Sequence, residues 1–118
     1  MHLDKIRTWL RLEETTPEQV LAALFGLTET EAKAYFLLTR RQLSVHELCT
    51  KMRKDRTTAQ RVLQNLVDKG LAHRVVERGK PNSKNYTYKP VLLMDLKYKM
   101  NEIIEDWGAF MKEKIKNM

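Results

Sequence analysis

The sequence predicts one mainly α-helical domain that spans residues 1–118 and carries a small β-hairpin. Three observations lead to this prediction. Helix-start signals of the form Ser/Thr-x-x-Glu/Gln recur in the first half of the chain, at Thr16, Thr28 and Ser44. Two segments of strand-like composition surround a turn rich in Gly, Pro and Asn near residue 80. A helical apolar pattern then runs from about residue 91 to the end.

Length and composition agree with a small globular protein. The chain has a mass of 14.0 kDa and is 42% hydrophobic, which is enough for one compact core. No apolar stretch approaches the roughly 20 residues that span a bilayer, and the first residues lack the uncharged core of a signal peptide. The single cysteine cannot form an intramolecular disulfide. We therefore expect a cytoplasmic protein with no membrane partner.

Residues 1–25 are predicted to form an N-terminal helical extension. Its first part places apolar residues at helical spacing, namely Leu3, Ile6, Trp9 and Leu10. A second helix begins at Thr16, with Pro17 at its first position, where the missing N–H costs nothing. Gly26 can adopt the left-handed conformation that ends this helix.

Three short helices follow within residues 26–69. The first runs from Thr28 to about Arg40, and we expect Ala32, Tyr35, Phe36 and Thr39 on its inner face with Leu38 beside them. The second begins at Ser44 and has apolar positions at Val45, Leu48, Cys49 and Met52. Asp55 is the predicted N-cap of the third helix, residues 55–69. Three helices joined by such brief turns are typical of a helix-turn-helix core.

The third helix has two contrasting faces. Its apolar residues, Ala59, Val62, Leu63 and Leu66, recur at spacings of three and four and are predicted to face the core. The opposite face presents hydroxyls, amides and arginines, whereas the Glu and Lys that usually fill a solvated surface are absent from Thr57 through Val67. Such side chains can read bases, because Arg pairs with guanine, Gln or Asn with adenine, and Thr contacts the thymine methyl.

A β-hairpin is predicted directly after this helix. Gly70 is predicted to end the helix, and residues 71–77 to form the first strand. Residues 78–85 form a turn with three cations and no acid, and residues 86–88 form the second strand of the hairpin. This order, a helix followed by a hairpin, is that of a recognition helix and its wing. The predicted fold is therefore a winged helix-turn-helix with an N-terminal helical extension and a long C-terminal helix, the core and wing occupying residues 26–90.

Charge is concentrated in the same region. Residues 53–90 hold ten Lys/Arg and three Asp/Glu, a balance equal to the +7 of the whole chain. This is the electrostatic footprint of a nucleic-acid-binding face. The predicted partner is double-stranded DNA. The candidate DNA-binding residues are Lys54, Arg56, Thr57, Thr58, Gln60, Arg61, Gln64 and Asn65 in and beside the helix, and Arg78, Lys80, Asn82, Ser83 and Lys84 in the turn.

Residues 91–118 are predicted to form one long helix that mediates dimerisation. Apolar residues alternate at steps of three and four, the spacing of a helix–helix seam. A helix of this length exceeds what so small a core can cover, so part of the seam should meet a second subunit. Folding back on residues 3–25 of the same chain is the alternative. The predicted interface residues are Leu93, Leu96, Met100, Ile103, Trp107, Phe110 and Met111.

No catalytic pattern is visible, so we predict a protein that is not an enzyme and binds no cofactor. The sequence contains no phosphate-binding Gly-rich loop, no GxSxG and no HExxH. His46 and Cys49 are three apart and could supply two metal ligands, but a closed zinc site usually needs four. We favour a structural role for Cys49, because a free cysteine behaves as a small core hydrophobe.

Two segments of the sequence resemble those of a known family. Leu27-Thr28-Glu29-x-Glu31-Ala32-x-x-Tyr35 and Arg61-Val62-Leu63-x-x-Leu66-x-x-Lys69-Gly70-Leu71 are similar to the winged helix-turn-helix domain of archaeal TrmB-type regulators. MarR-type regulators share the second segment, and the resemblance covers roughly residues 24–90. It implies a dimer that binds promoter DNA, with helix 55–69 in the major groove and turn 78–85 on the backbone or in the minor groove.

The chain also departs from that family. Longer TrmB-type proteins carry a sugar-binding C-terminal domain, and this sequence has a helix there, so sugar sensing is not expected. The helical extension of residues 1–25 has no counterpart in the minimal domain. Two other functions stay open at this point: an RNA-binding winged helix that stacks bases on Tyr86 and Tyr88, and a protein-interaction winged helix in a transcription complex.

Overall fold

The computed structural model describes residues 14–76 and 86–118, so the predicted helix near residues 3–13 and turn 78–85 lie outside the described residues. Within these ranges the chain forms five α-helices and three short strands. Their order is α1 (Pro17–Phe25), α2 (Glu29–Arg40), β1 (Leu43–Ser44), α3 (Val45–Met52), α4 (Arg56–Asp68), β2 (Ala72–Val76), β3 (Tyr86–Pro90) and α5 (Leu93–Lys116).

The helix starts predicted from the sequence are confirmed. In each capping box the Ser or Thr hydroxyl accepts a hydrogen bond from the backbone N–H three residues later. The Glu or Gln side chain at that later position accepts a hydrogen bond from the backbone N–H of the Ser or Thr. The pairs are Thr16–Gln19, Thr28–Glu31 and Ser44–Glu47. Asp55 caps α4 by accepting the Thr58 N–H at 2.7 Å. Gly26, at φ 66°, ends α1 in the left-handed conformation.

The core is centred on α2. This helix packs against α1, α4 and β3, and Tyr35 is fully buried at the centre. The Tyr35 hydroxyl donates to the carbonyl of Val91 at 3.0 Å and so ties α2 to the chain just before α5. The largest fully buried side chains are Tyr35, Leu21, Leu38, Leu43, Leu48, Leu63 and Leu66.

The predicted inner face of α2 was wrong in part. Thr39 is exposed, and its hydroxyl donates to the Phe36 carbonyl at 2.6 Å, whereas Leu38 is buried. Ala34 is buried as well. The reason is that α2 has neighbours on several sides, so its buried surface is wider than one apolar stripe and is rotated toward Leu38.

The sheet has three antiparallel strands in the order β1–β3–β2. The predicted hairpin is confirmed as β2 and β3, with His73 opposite Lys89 and Val76 opposite Tyr86. Strand β1, which places Leu43 opposite Tyr88, was not predicted. The Gln42 amide donates to the Thr87 hydroxyl beside it and fixes this outer strand.

Helix α5 leaves the core as it proceeds. Leu96 is buried and Met100 packs against the core, but Trp107 is 62% exposed and Ile115 is 63% exposed. The Cα radius of gyration is 17.9 Å, whereas a compact chain of this length has roughly 13.5 Å. The helix therefore extends well beyond the rest of the domain. No helix in residues 14–76 and 86–118 is both long and apolar enough to cross a membrane.

Candidate nucleic-acid interface

Helix α4 presents a polar face because its other face is fully used by the core. Ala59, Val62, Leu63 and Leu66 are all buried, as predicted. The opposite side of the helix therefore faces solvent, and Arg56, Thr57, Gln60 and Arg61 on it are exposed. These four side chains make no hydrogen bond or ion pair with any part of the chain that the structure describes. They are free to contact a ligand.

Two other candidates on α4, Thr58 and Gln64, are partly engaged within the fold. Thr58 is half-buried, and its backbone N–H donates to the cap Asp55. Gln64 is half-buried, and its amide donates to Asp68 Oδ1 at 2.8 Å. Both lie closer to the core than the four exposed side chains. The exposed candidates therefore cluster in the first half of the helix.

Asn65 holds α4 to α2. Its amide Nδ2 donates to Glu31 Oε2 at 2.7 Å, while Glu31 Oε1 accepts the Thr28 N–H at 2.8 Å. Glu31 is only 5% exposed. Burial raises the pKa of this carboxyl, but the hydrogen bonds from Thr28 and Asn65 outweigh burial, and the net pKa lies below the usual value. The Asn65 amide thus has a buried, charged partner inside the fold.

The turn between α3 and α4 adds two cations in front of the exposed face. Arg53 adopts a left-handed conformation at φ 55°, and among the described residues it is the sole non-glycine with positive φ. Lys54 follows, and its carbonyl accepts a hydrogen bond from Cys49 Sγ at 2.8 Å. Both basic side chains are exposed. Lys54 was among the predicted contacts and Arg53 was not, and the left-handed conformation of Arg53 becomes visible only in the structure.

The hairpin supplies further positive charge. The Arg74 guanidinium lies 5.4 Å from the centre of the Tyr86 ring, and Lys89 is exposed on β3. Neither cation was among the predicted contacts, although both belong to the basic region of the sequence. The predicted contacts of the turn, Arg78, Lys80, Asn82, Ser83 and Lys84, lie outside the described residues.

The two tyrosines of β3 are not equivalent. Tyr88 is 3% exposed, and burial raises the pKa of its hydroxyl. Tyr86 is half-buried beneath Arg74. A stacking platform for single-stranded bases needs exposed rings. Of the two candidate rings, Tyr88 is therefore inaccessible.

The basic region has little internal neutralisation. Its described part holds seven Lys/Arg and two Asp/Glu. The ion pairs found among residues 14–76 and 86–118, Lys33–Glu29 and Arg41–Glu47, both lie outside it. Lys69 is already hydrogen-bonded within the fold, since its Nζ donates to the carbonyls of Phe25 and Gly26 at 3.0 and 2.7 Å. The remaining cations are available to an anionic partner.

In the described ranges, no three His, Cys, Asp or Glu side chains are grouped so that they could hold a metal ion. Cys49 is half-buried rather than fully buried, and its thiol is used in the hydrogen bond to Lys54. This contact helps to shape the turn that precedes α4.

The residues predicted at a dimer interface divide into two groups. Leu96 is buried within its own chain, and Met100 and Ile103 are half-buried. The other predicted residues, Leu93, Trp107, Phe110 and Met111, are exposed, and so are Ile104 and Ile115 in the C-terminal half of the helix. The alternative in which the helix folds back on its own chain therefore applies to the first turns, where α5 contacts α1.

Comparison with known proteins agrees with this geometry. The family model described as sugar-specific transcriptional regulator TrmB matches residues 21–93, more than half of the chain. An uncharacterised protein of Methanocaldococcus jannaschii is 35% identical over 107 residues, covering 87% of this chain and 86% of that protein. A second uncharacterised protein of the same organism is 26% identical over 104 residues, covering 87% and 79%.

Solved structures share the fold. A possible transcriptional regulator from Methanosarcina mazei superposes with a TM-score of 0.74 at 18% identity, covering 85% of this chain and 86% of that one. The MepR–DNA complex of Staphylococcus aureus gives a TM-score of 0.62 at 16% identity, with coverage of 94% and 90%. The matched family is one of transcriptional regulators and not of enzymes. With its winged helix-turn-helix and its match to the family model, the chain belongs to the TrmB family of transcriptional regulators.

Proposed function

We propose that this protein binds double-stranded DNA sequence-specifically, as a dimer, and thereby regulates transcription. The observation that carries the proposal is the outward face of α4. Arg56, Thr57, Gln60 and Arg61 are exposed there and make no hydrogen bond or ion pair among the described residues, and the surrounding cations lack ion pairs in the same part of the chain. A polar face with an unneutralised basic surround is what a duplex requires.

Base reading is assigned to the exposed half of α4. A helix fits the major groove, which is about 12 Å wide, and its first turns are the usual point of base contact. Arg61 can pair bidentately with a guanine, Gln60 with an adenine, and Thr57 can contact a thymine methyl or a phosphate. Gln64 can join them by releasing Asp68. Asn65 was a predicted contact, and we now propose that it positions the helix through Glu31.

Phosphate binding is assigned to the flanking cations. Arg53, Lys54 and Arg56 lie around the N-terminus of α4, whose positive dipole end also favours a phosphate. Thr58, half-buried in the first turn, can donate its hydroxyl to the same phosphate. The turn after β2 is proposed to contact the backbone or the minor groove through Arg78, Lys80, Asn82, Ser83 and Lys84. These contacts fix register but carry no sequence information directly.

Dimerisation is assigned to the C-terminal half of α5. Trp107 and Phe110 are more than half exposed and continue the seam that begins with the buried Leu96. Exposed apolar rows of this kind mark interaction sites. The simplest occupant is the same helix of a second subunit, since two-fold dimers are the commonest oligomers. A two-fold dimer would present two α4 helices to a palindromic site.

The solved MepR–DNA complex supports the proposal at the level of fold, since this fold holds DNA in that protein. The RNA-binding alternative is weakened by the burial of Tyr88, which removes half of the expected stacking platform. The protein-interaction alternative leaves the basic excess around α4 without a role.

The proposal is tested by fluorescence anisotropy with labelled duplex DNA, single-stranded DNA and RNA of the same random sequence, titrated from 50 to about 300 mM salt. We expect the duplex to bind most tightly, with affinity that falls steeply as salt rises because counterions are released. Stronger binding of RNA or of single strands would support the RNA-binding alternative. Absence of salt-dependent binding to all three would support the protein-interaction alternative.

A further inference from the structure

A groove beside the turn between α3 and α4 shares one residue, Lys54, with the proposed DNA contacts, and its other lining residues take no part in them. It has a volume of about 400 Å³ and lies between the start of α1, one side of α2 and the end of α3. Grooves that bind small molecules have volumes of about 300–1,000 Å³. The groove therefore has the size of a ligand site.

The floor of the groove is apolar. Phe36, Leu37 and Met52 line it, and all three are half-buried, so each presents one surface to the groove. The Phe36 ring is held edge-on against the buried Tyr35 ring, with 5.4 Å between the ring centres. Met52 has an unbranched, polarizable side chain that adapts to a flat partner. This floor suits a small aromatic or branched apolar body.

The rim of the groove is basic. Lys33, Arg40, Lys51 and Lys54 line it, against a single carboxylate, Glu18, at the α1 end. Lys33 is paired with Glu29 at 3.6 Å. Arg40, Lys51 and Lys54 have no ion pair, and their side chains no hydrogen bond, within residues 14–76 and 86–118. Arg40 and Lys51, which the proposed DNA contacts do not use, lie beside the apolar floor and complement an anion with an apolar body.

We propose that this groove binds a small organic anion, with the apolar body on Phe36, Leu37 and Met52 and the carboxylate or phosphate at Arg40 and Lys51. Both charge and apolar surface are needed, since the cations are exposed and would hold a bare anion only weakly. The proposal does not depend on DNA binding, and its test uses the protein alone.

The test is an NMR titration of the ¹⁵N-labelled full chain with three probes: 2-naphthoate, its neutral isostere 2-naphthamide, and inorganic phosphate. We expect 2-naphthoate to shift the amide signals of Leu37 and Met52 in a saturable manner. The neutral isostere should bind at least about threefold more weakly, because each exposed charge pair contributes modestly. Phosphate at the same concentration should leave the signals of the floor residues unchanged.

A matched pair of variants locates the anion. The double variant Arg40→Gln with Lys51→Gln should weaken 2-naphthoate binding about fivefold. The control, Lys112→Gln with Lys116→Gln, removes the same charge from exposed positions of α5 and should bind as the wild type does. Equal affinity for naphthoate and naphthamide, shifts confined to α5, an equal response to phosphate, or equal loss in both double variants would each overturn the proposal.

Discussion

The side chain of Asn65 donates a hydrogen bond of 2.7 Å to the buried carboxylate of Glu31. The two residues are 34 positions apart in the sequence and join the last turn of α4 to the first turn of α2. Glu31 also closes the capping box of α2 through Thr28. One carboxylate therefore takes part both in the cap of α2 and in the packing of α4 against α2. Together with the buried apolar face of α4, this contact orients the exposed face of the helix.

This contact predicts a strong coupling between the two positions. Asn65→Asp places a second carboxylate against Glu31 and should lower the free energy of unfolding by about 2 kcal/mol or more, since a buried charge loses its donor. Adding Glu31→Gln to that variant restores a donor, with its direction reversed, and should recover most of the loss. Urea unfolding of the four proteins in this cycle measures the coupling. Additive losses would contradict the contact.

Stability should fall in acid because of the capping carboxylates. Hydrogen bonds lower the pKa of Asp55 and of Glu47, and the pKa of Glu31 is lowered despite its burial. A folded-state pKa below the unfolded value means that the ionised form favours the fold. The stabilisation is therefore complete above the ordinary values of 4.5 for glutamate and 3.8 for aspartate, and is lost as pH falls through the lowered folded values.

The contribution of Glu31 can be isolated with Glu31→Gln, which keeps an acceptor for Thr28 but cannot titrate. Urea midpoints measured from pH 7 down to pH 3 should decline less steeply in this variant than in the wild type. Identical slopes would show that Glu31 has the same pKa in the folded and unfolded states.

We expect Arg53 to lower the stability of the fold and to raise the affinity for DNA. A non-glycine residue in the left-handed conformation costs about 1–2 kcal/mol, and Arg53 has φ 55°. Arg53→Gly should therefore raise the free energy of unfolding by about 0.5–1 kcal/mol, after the entropy cost of glycine. It should also reduce affinity for every duplex and lower the salt slope by about 0.9.

The matched control is Arg53→Asn, because asparagine tolerates the left-handed conformation and is uncharged. It should lose the same DNA affinity with a smaller gain in stability. If both variants bind DNA as the wild type does, Arg53 makes no phosphate contact and its conformation needs another explanation.

The exposed half of α5 should control the oligomeric state. Trp107→Glu with Phe110→Glu places two charges in the apolar row and should convert a dimer into a folded monomer, because an unpaired charge is costly in an interface. Sedimentation velocity measures the change. The control is Met94→Glu, at an 80% exposed position near the start of the same helix, which should leave the dimer intact. A monomeric wild type, or a dimer unaffected by the double variant, would contradict the assignment.

Base contacts and phosphate contacts should respond differently to mutation. Arg61→Ala removes a proposed base reader and should cost about 1–3 kcal/mol of discrimination against a wrong base pair. Lys80→Ala and Lys84→Ala remove proposed phosphate contacts and should weaken binding to specific and random duplexes alike. Anisotropy titrations with both duplexes separate the two effects. An equal loss on both duplexes in Arg61→Ala would remove that residue from base reading.

Local features of the fold were predictable from the sequence. The caps at Thr28 and Ser44 involve residues three positions apart, and the buried stripe of α4 follows from spacing alone. Contacts between distant segments were not. Strand β1 has two residues and exists because it pairs with β3, and the burial of Leu38 depends on which elements surround α2.

The candidate site shows the same division. Its exposed members on α4 could be chosen from composition and helical period. The commitment of Asn65 to Glu31 and the left-handed conformation of Arg53 could not, since the first depends on how α2 and α4 pack and the second on how α3 ends. Neither leaves a local signal in the sequence.

The most direct test of the central claim is an in vitro selection of random double-stranded DNA by the purified protein at near-physiological salt. The account predicts enrichment of a two-fold symmetric motif whose half-sites are about 34 Å, or one helical turn, apart. The same selection with Arg61→Ala should yield a degenerate base at one position in each half-site. Binding without an enriched motif would contradict base reading by α4 and leave phosphate contact as the sole role of the basic surface.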